Sequence, residues 1–231
     1  MNFCFFAAAL HALFVFDTLD PDVGSAMVKN RSLLDQTFEE VARSLEMTYE
    51  PHMLDGKKLT YRQLLDAMTQ VRVEQDDLFV FYFSGHGGRL DEKKDPWPYL
   101  YFSGDRSAID TLLIDSFVES LNPRFYWRLV DCCNATAEDV DKLRAITWNK
   151  ERVRDNLKRL FLSEVSSVIV SSASPGEVSW AYDRYGSCFT LSLLQDLFWK
   201  LSGTKNVTWE ALLMDASARL RVKQTPYWEI K

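Results

Sequence analysis

Two residues in this sequence have the types and settings for nucleophilic chemistry. His86 is one of only three histidines, and it stands between glycines in Phe81-Tyr82-Phe83-Ser84-Gly85-His86-Gly87-Gly88. Cys133 follows 47 residues later, in Arg128-Leu129-Val130-Asp131-Cys132-Cys133-Asn134-Ala135. Each follows an apolar run. A cysteine is a useful nucleophile chiefly as its thiolate, and a nearby imidazole can hold or take the proton. Gly85, Gly87 and Gly88 admit backbone conformations closed to other residues and let a substrate come close to the chain. The N–H groups of Gly87 and Cys133 would then serve a developing oxyanion. The chemistry these residues suggest is acyl transfer by a Cys–His dyad.

Such a pair needs a frame that carries both residues to one place. Strand-like runs cover Leu10–Asp17, Thr48–Leu54, Leu78–Phe83, Tyr99–Phe102, Phe125–Asp131 and Val165–Ser171. Helical spacing covers Asn30–Met47, a segment capped by Thr60 and Gln63, Asp110–Leu121, part of Ala137–Leu160, Cys188–Leu201 and Thr208–Val222, which Pro226 closes. Leu78–Phe83 is apolar at every position, so both its faces need cover. The alternation predicts an α/β fold, a three-layer αβα sandwich around a mostly parallel sheet. Ligands bind such sheets at the carboxyl ends of the strands. Reactive side chains stand there three times: at His86, at Cys133 and at Ser171–Ser174.

Composition narrows the function further. The 231 residues, 47% of them apolar, suit one domain. The net charge of −6 and the lack of a long Lys/Arg block disfavour a nucleic-acid partner. Cys4, Cys132, Cys133 and Cys188 form neither a disulfide framework nor a zinc-ligand pattern, so no metal is expected. No G-x-S-x-G elbow and no glycine-rich phosphate loop is present. The apolar run Phe3–Phe16 is too short to span a bilayer. Residues 1–9 read as a secretory-signal remnant, in which case the protein is secreted; otherwise a cytoplasmic location is expected.

"FYFSGHGG" followed by "RLVDCCNA" resembles the caspase–metacaspase group of cysteine peptidases. Asp131-Cys132-Cys133 matches the Asp-x-Cys form of metacaspases and bacterial relatives, which makes Cys133 the nucleophile and Cys132 a bystander. "VIVSSASPGEVSW" resembles the strand and substrate loop after the cysteine, "GSCFT" the start of the next helix, and "KQTPYW" a closing Gln-x-Pro segment. Asn134-Ala135 departs from the usual His-Ser-Gly, and the chain lacks the Gln-Ala-Cys of true caspases.

The resemblance implies a caspase-hemoglobinase fold over residues 1–231 and endopeptidase activity on proteins or peptides without an organic cofactor. Asp131 would line the S1 pocket and select Arg or Lys at P1. Ser171, Trp180 and Asp183 are further substrate-binding candidates. Residues 134–164 are expected as a connection cut during maturation. Calcium activation would fall on the loop around Asp91–Asp95, an acidic stretch read as surface. The alternative function is a catalytically silent caspase-like scaffold. The sequence favours no oligomeric state.

Overall fold

Leu13, Phe14, Val15 and Phe16 are consecutive and all completely buried. A strand that buries neighbouring side chains needs cover on both faces. The computed structural model describes residues 8–56, 59–89, 93–133, 150–203, 206–220 and 224–231, and it supplies that cover. In chain order the elements are β1 (Ala9–Phe16), α1 (Gly24–Leu45), β2 (Thr48–Asp55), α2 (Tyr61–Gln70), β3 (Leu78–Gly85), β4 (Gly87–Gly88), β5 (Tyr99–Phe102), β6 (Ser107–Asp110), α3 (Thr111–Leu121), β7 (Phe125–Cys132), α4 (Lys150–Phe161), β8 (Ser167–Ser171), β9 (Ala181–Tyr182), β10 (Gly186–Ser187), α5 (Cys188–Gly203), α6 (Trp209–Ala218) and β11 (Tyr227–Ile230).

The central sheet has the order β11-β8-β7-β3-β1-β2. Five strands run parallel, and β11 lies antiparallel on β8 at one edge. Alternate side chains divide between the faces, as the two-residue period of a strand requires. Phe14, Tyr82, Trp127 and Val170 pack with α1, α4, α5 and α6. Val15, Phe81, Phe83 and Val130 pack with α2, α3 and the β5–β6 hairpin. This is the expected αβα sandwich. No described helix is long and apolar enough to cross a membrane.

Buried charges pin the strands. Asp77, just before β3, accepts from the N–H groups of Ala9 and Glu74, both at 2.7 Å, and contacts His11 at 3.1 Å. That ties the start of β1 to the start of β3. Arg128 of β7 is completely buried, pairs with Asp115 of α3 at 2.6 Å and lies 4.3 Å from the Trp97 ring centroid. Removing either partner would leave an uncompensated buried charge.

Several boundaries differ from expectation. Helix α1 begins at Gly24, six residues before the apolar spacing becomes visible, and α6 ends at Ala218. Asp110 is the N-cap of α3 and closes β6, its carboxylate accepting from Leu112 N–H at 3.0 Å. Strand β11 was not expected; Pro226 precedes a short edge strand, a place where proline is tolerated. Of the expected processing connection 134–164, residues 134–149 lie outside the described residues. Its later part holds the expected helix: Val153, Leu157, Leu160 and Phe161 of α4 are buried in the core. The secretory-signal expectation falls on residues 1–9, of which 1–7 lie outside the described residues.

Trp209 closes this layer. Its ring centroid is 4.9 Å from that of Trp127 and 5.3 Å from that of Phe161, and its Nε1 donates to Leu160 O at 2.7 Å. Trp209→Ala should cost about 3–5 kcal/mol in urea unfolding and open α4 to trypsin. A loss below about 1 kcal/mol would contradict this packing.

Candidate active site

Strands β3 and β7 pair in parallel with Leu78 opposite Phe125 and Gly85 opposite Cys132. The offset is the same 47 residues that separate His86 from Cys133. Both residues therefore leave adjacent strands at the same level, at the carboxyl end of the sheet. Parity separates the two cysteines. Cys132 is buried on the face of α2 and α3. Cys133 follows the strand, partly exposed, with φ at +95°. A non-glycine residue rarely adopts such a backbone, and holding it there costs about 1–3 kcal/mol.

The glycines make the cradle. Gly87 stands opposite Leu100 of β5, and Tyr101 N–H donates to His86 O at 3.0 Å. In that register the N–H and C=O of Gly87 both point away from β5. The carbonyl meets Cys133, whose thiol donates to Gly87 O over 2.9 Å. A Cβ at Gly87 would lie 2.3 Å from Cys132 Sγ and 2.9 Å from Tyr99 O, so only glycine lets the two strand ends approach.

A buried polar network underlies the pair. Asp131 accepts from Ser179 Oγ at 2.7 Å, from Thr190 Oγ1 at 2.6 Å and from Thr190 N–H at 3.3 Å. Ser172 Oγ donates to Ser179 Oγ, and Gln224 Nε2 donates to Ser172 O and Ser179 Oγ. Tyr82 OH contacts Thr190 Oγ1 at 3.0 Å and accepts from Asn30 Nδ2 at 2.9 Å. Asn30 also takes the Ser187 N–H at 3.0 Å, where Gly186 turns with φ at +108°. The network joins α1, β3, β7, β10 and α5 next to Cys133. Burial pushes the Asp131 carboxyl up, against the pull of its Thr190, Ser179 and Ser172 hydrogen bonds.

Charge is arranged around the thiol. Arg89 donates to the carbonyls of Pro96, Ser174 and Ala173 at 2.8, 3.2 and 3.0 Å. It thereby clamps the strand following His86 to the loop after β8. The Cys133 thiol is drawn down to about 7 by its hydrogen bond with Cys132, then by Arg89, the Gly87 backbone and His86, against the opposing effect of burial. Its neighbour Cys132 is pushed up by that same contact and by burial. Burial pushes Cys188 up to about 12.

The remaining candidates are distributed unequally. Asp183 is exposed and accepts from Ser25 Oγ at the start of α1. Trp180 is partly exposed, and its backbone N–H donates to Gln224. Ser171 is buried, with its hydroxyl spent on Ala173 O, so it builds the loop rather than facing its mouth. In the acidic loop expected to bear on calcium, residues 90–92 lie outside the described residues, and Asp95 pairs with Lys93 at 2.9 Å.

Asp17, Asp20, Asn30 and Arg89 are site residues that the sequence reading missed. The run Asp17-Thr18-Leu19-Asp20-Pro21-Asp22 directly after β1 was the available signal, since β1 neighbours β3 at the same end of the sheet. Asp20 Oδ2 lies 2.9 Å from His86 Nε2. Asp20, Asp22 and His86 each bring a possible ligand atom within 4.8 Å of one another. A cation there would tie up the imidazole.

A depressed thiol and an imidazole on adjacent strand ends of an αβα sandwich are the apparatus of a cysteine-type hydrolase. The family model of the caspase domain matches residues 26–231, and the chain belongs to that family of cysteine peptidases. Its substrates are therefore proteins or peptides. No curated protein matches the chain significantly.

The electrostatics set a measurable pH dependence. With the Cys133 thiol drawn down to about 7, its thiolate fraction should grow through neutral pH. Alkylation of Cys133 by iodoacetamide, read on its peptide by mass spectrometry, should rise with a midpoint near pH 7. Arg89→Met should move that midpoint upward. A midpoint near the ordinary cysteine value of about 8.5 would contradict the arrangement.

Proposed function

We propose that this protein is a cysteine endopeptidase that works through Cys133 and His86 and cleaves after Arg or Lys. The observation that supports the reading is the β3–β7 register, in which the two residues follow adjacent strand ends at the same level. The Cys133 thiolate adds to the scissile carbonyl carbon. The oxyanion accepts hydrogen bonds from the N–H groups of Gly87 and Cys133. His86 gives its proton to the leaving amine as the C–N bond breaks, leaving a thioester. It then takes a proton from the water that releases the acid. These steps call on no organic cofactor.

The basic preference draws support from the charges at the site. Asp20 and Asp22 lie beside His86, Asp183 stands where α1 begins, and Asp131 lies beneath the nucleophile. In this reading Asp131 forms the floor of S1, with Ser179 and Thr190 between it and the incoming cation. Trp180 and Asp183 contribute to the pocket's rim. A guanidinium paired there would gain from charge-assisted hydrogen bonds. Self-cleavage is proposed within residues 134–149, at Lys142 or Arg144. The basic residues of α4 are held in a folded helix, which resists cutting.

Fluorogenic peptides test this. P1 Arg should be preferred over the isosteric neutral citrulline by about thirtyfold or more in kcat/KM. Cys133→Ala and His86→Ala should each remove activity by about three orders of magnitude or more. Activity that survives Cys133→Ala would overturn the assignment, and preference for P1 Asp would overturn the specificity. The Cys133→Ala chain should also stay whole where the wild type is cut within residues 134–149; fragmentation of the purified variant there would refute self-cleavage.

A further inference from the structure

We propose that Asp20 is the positioning residue for His86, so that the working group is a Cys133–His86–Asp20 triad. The inference rests on the peptidase reading above and adds one residue to it. Asp20 lies before the span that the family model matches, so its assignment comes from geometry alone.

The contact is built from both sides. Oδ2 of Asp20 meets Nε2 of His86 at 2.9 Å. Its Oδ1 accepts the N–H groups of Asp22 and Val23 at 2.9 and 3.1 Å, and Gly24 N–H donates to its carbonyl at 2.9 Å. The turn that opens α1 therefore fixes the carboxylate from behind. The Asp20 side chain is 7% exposed and that of His86 is 35% exposed, so the acid sits on the protein side of the ring. The positive end of a 22-residue helix starts four residues on and favours a negative charge at this place. Of the other carboxyls near His86, Asp22 is exposed, and Asp17 is completely buried, with its Oδ1 accepting from Ser103 at 2.9 Å.

The consequence is a defined tautomer. An ionised carboxylate only accepts, so the Nε2 that meets it carries the proton. In this proposal Nδ1 is the nitrogen that exchanges a proton with substrate and thiol. During acylation the Nδ1 proton moves to the leaving nitrogen as the C–N bond breaks. Asp20 keeps its charge and receives no proton. A ring free to turn would deliver that proton less often.

Comparing amide with ester substrates of the same acyl group tests the role. Cleaving an amide requires a proton at the leaving nitrogen, whereas a good ester leaving group departs without one. Asp20→Asn keeps an oxygen for the Asp22 and Val23 N–H groups and removes the acceptor at His86. Its kcat/KM should fall about a hundredfold on a P1 Arg amide and less than about tenfold on the matching thiobenzyl ester. Asp20→Glu should restore part of the amide rate. Titration of one reactive thiol per chain in the variant would show that the fold and Cys133 remain intact. If amide and ester rates fall together, or if neither falls, Asp20 does not position the imidazole. If the wild type hydrolyses neither substrate, the peptidase reading itself fails and takes the triad with it, a result visible without any variant.

Discussion

Everything at this site depends on the parallel register of β3 on β7. Gly85 stands opposite Cys132, so the next residue of each chain, His86 and Cys133, leaves the sheet at one level. A slip by one residue would exchange the faces of the whole strand, placing Phe83 and Val130 among the wrong neighbours. The large side chains of both strands make that slip costly: Phe79, Phe81 and Phe83 are buried on one face, and Phe125 and Trp127 on the other. The core thus fixes the level of His86 and Cys133 as well as holding the protein together. Parity also assigns the cysteines, since it turns Cys132 into the core and leaves Cys133 at the mouth.

The strained Cys133 backbone and the buried Asp131 carboxyl would both be liabilities in an ordinary loop. Here a hydrogen-bond network supports the Asp131 carboxyl, and the Cys133 thiol donates to Gly87 O. Asp131 is held by Ser179 and Thr190, and Asn30 carries the network across to α1. Such a network is valuable only when its members are satisfied, because an unpaired buried polar group loses its hydration for nothing. Arg89 adds the second brace, joining the strand after His86 to the loop after β8 through three carbonyls. It also supplies positive charge near the thiol without presenting a mobile cation to the substrate.

Much of this was legible in the sequence. The strands around His86 and Cys133 are continuous apolar runs, which signal a covered parallel sheet, and their common spacing is the register itself. Asp131 was legible because it stands in a motif. Strand β11 was not, because four residues after a proline carry too short a pattern. The early start of α1 was hidden because its first turn lacks apolar spacing and is set up by the Asp20 turn. The local partner of Ser171 was hidden because a serine at a strand end serves a loop as readily as a substrate, and its hydrogen bond to Ala173 shows only in the fold. The Asp20 contact spans 66 residues and depends on β1 lying beside β3, so sheet order had to be known first.

The central claim is that one thiol, Cys133, is the nucleophile and that it is reached by a substrate with a basic P1 residue. The most direct measurement treats the native protein with a limiting amount of a peptidyl-arginine chloromethyl ketone and maps the adduct by mass spectrometry. The account predicts a single adduct, on Cys133, with Cys132 and Cys188 unmodified and labelling lost in Cys133→Ala. An adduct on Cys132 or Cys188, or a native chain that stays unlabelled while the denatured chain reacts, would contradict it.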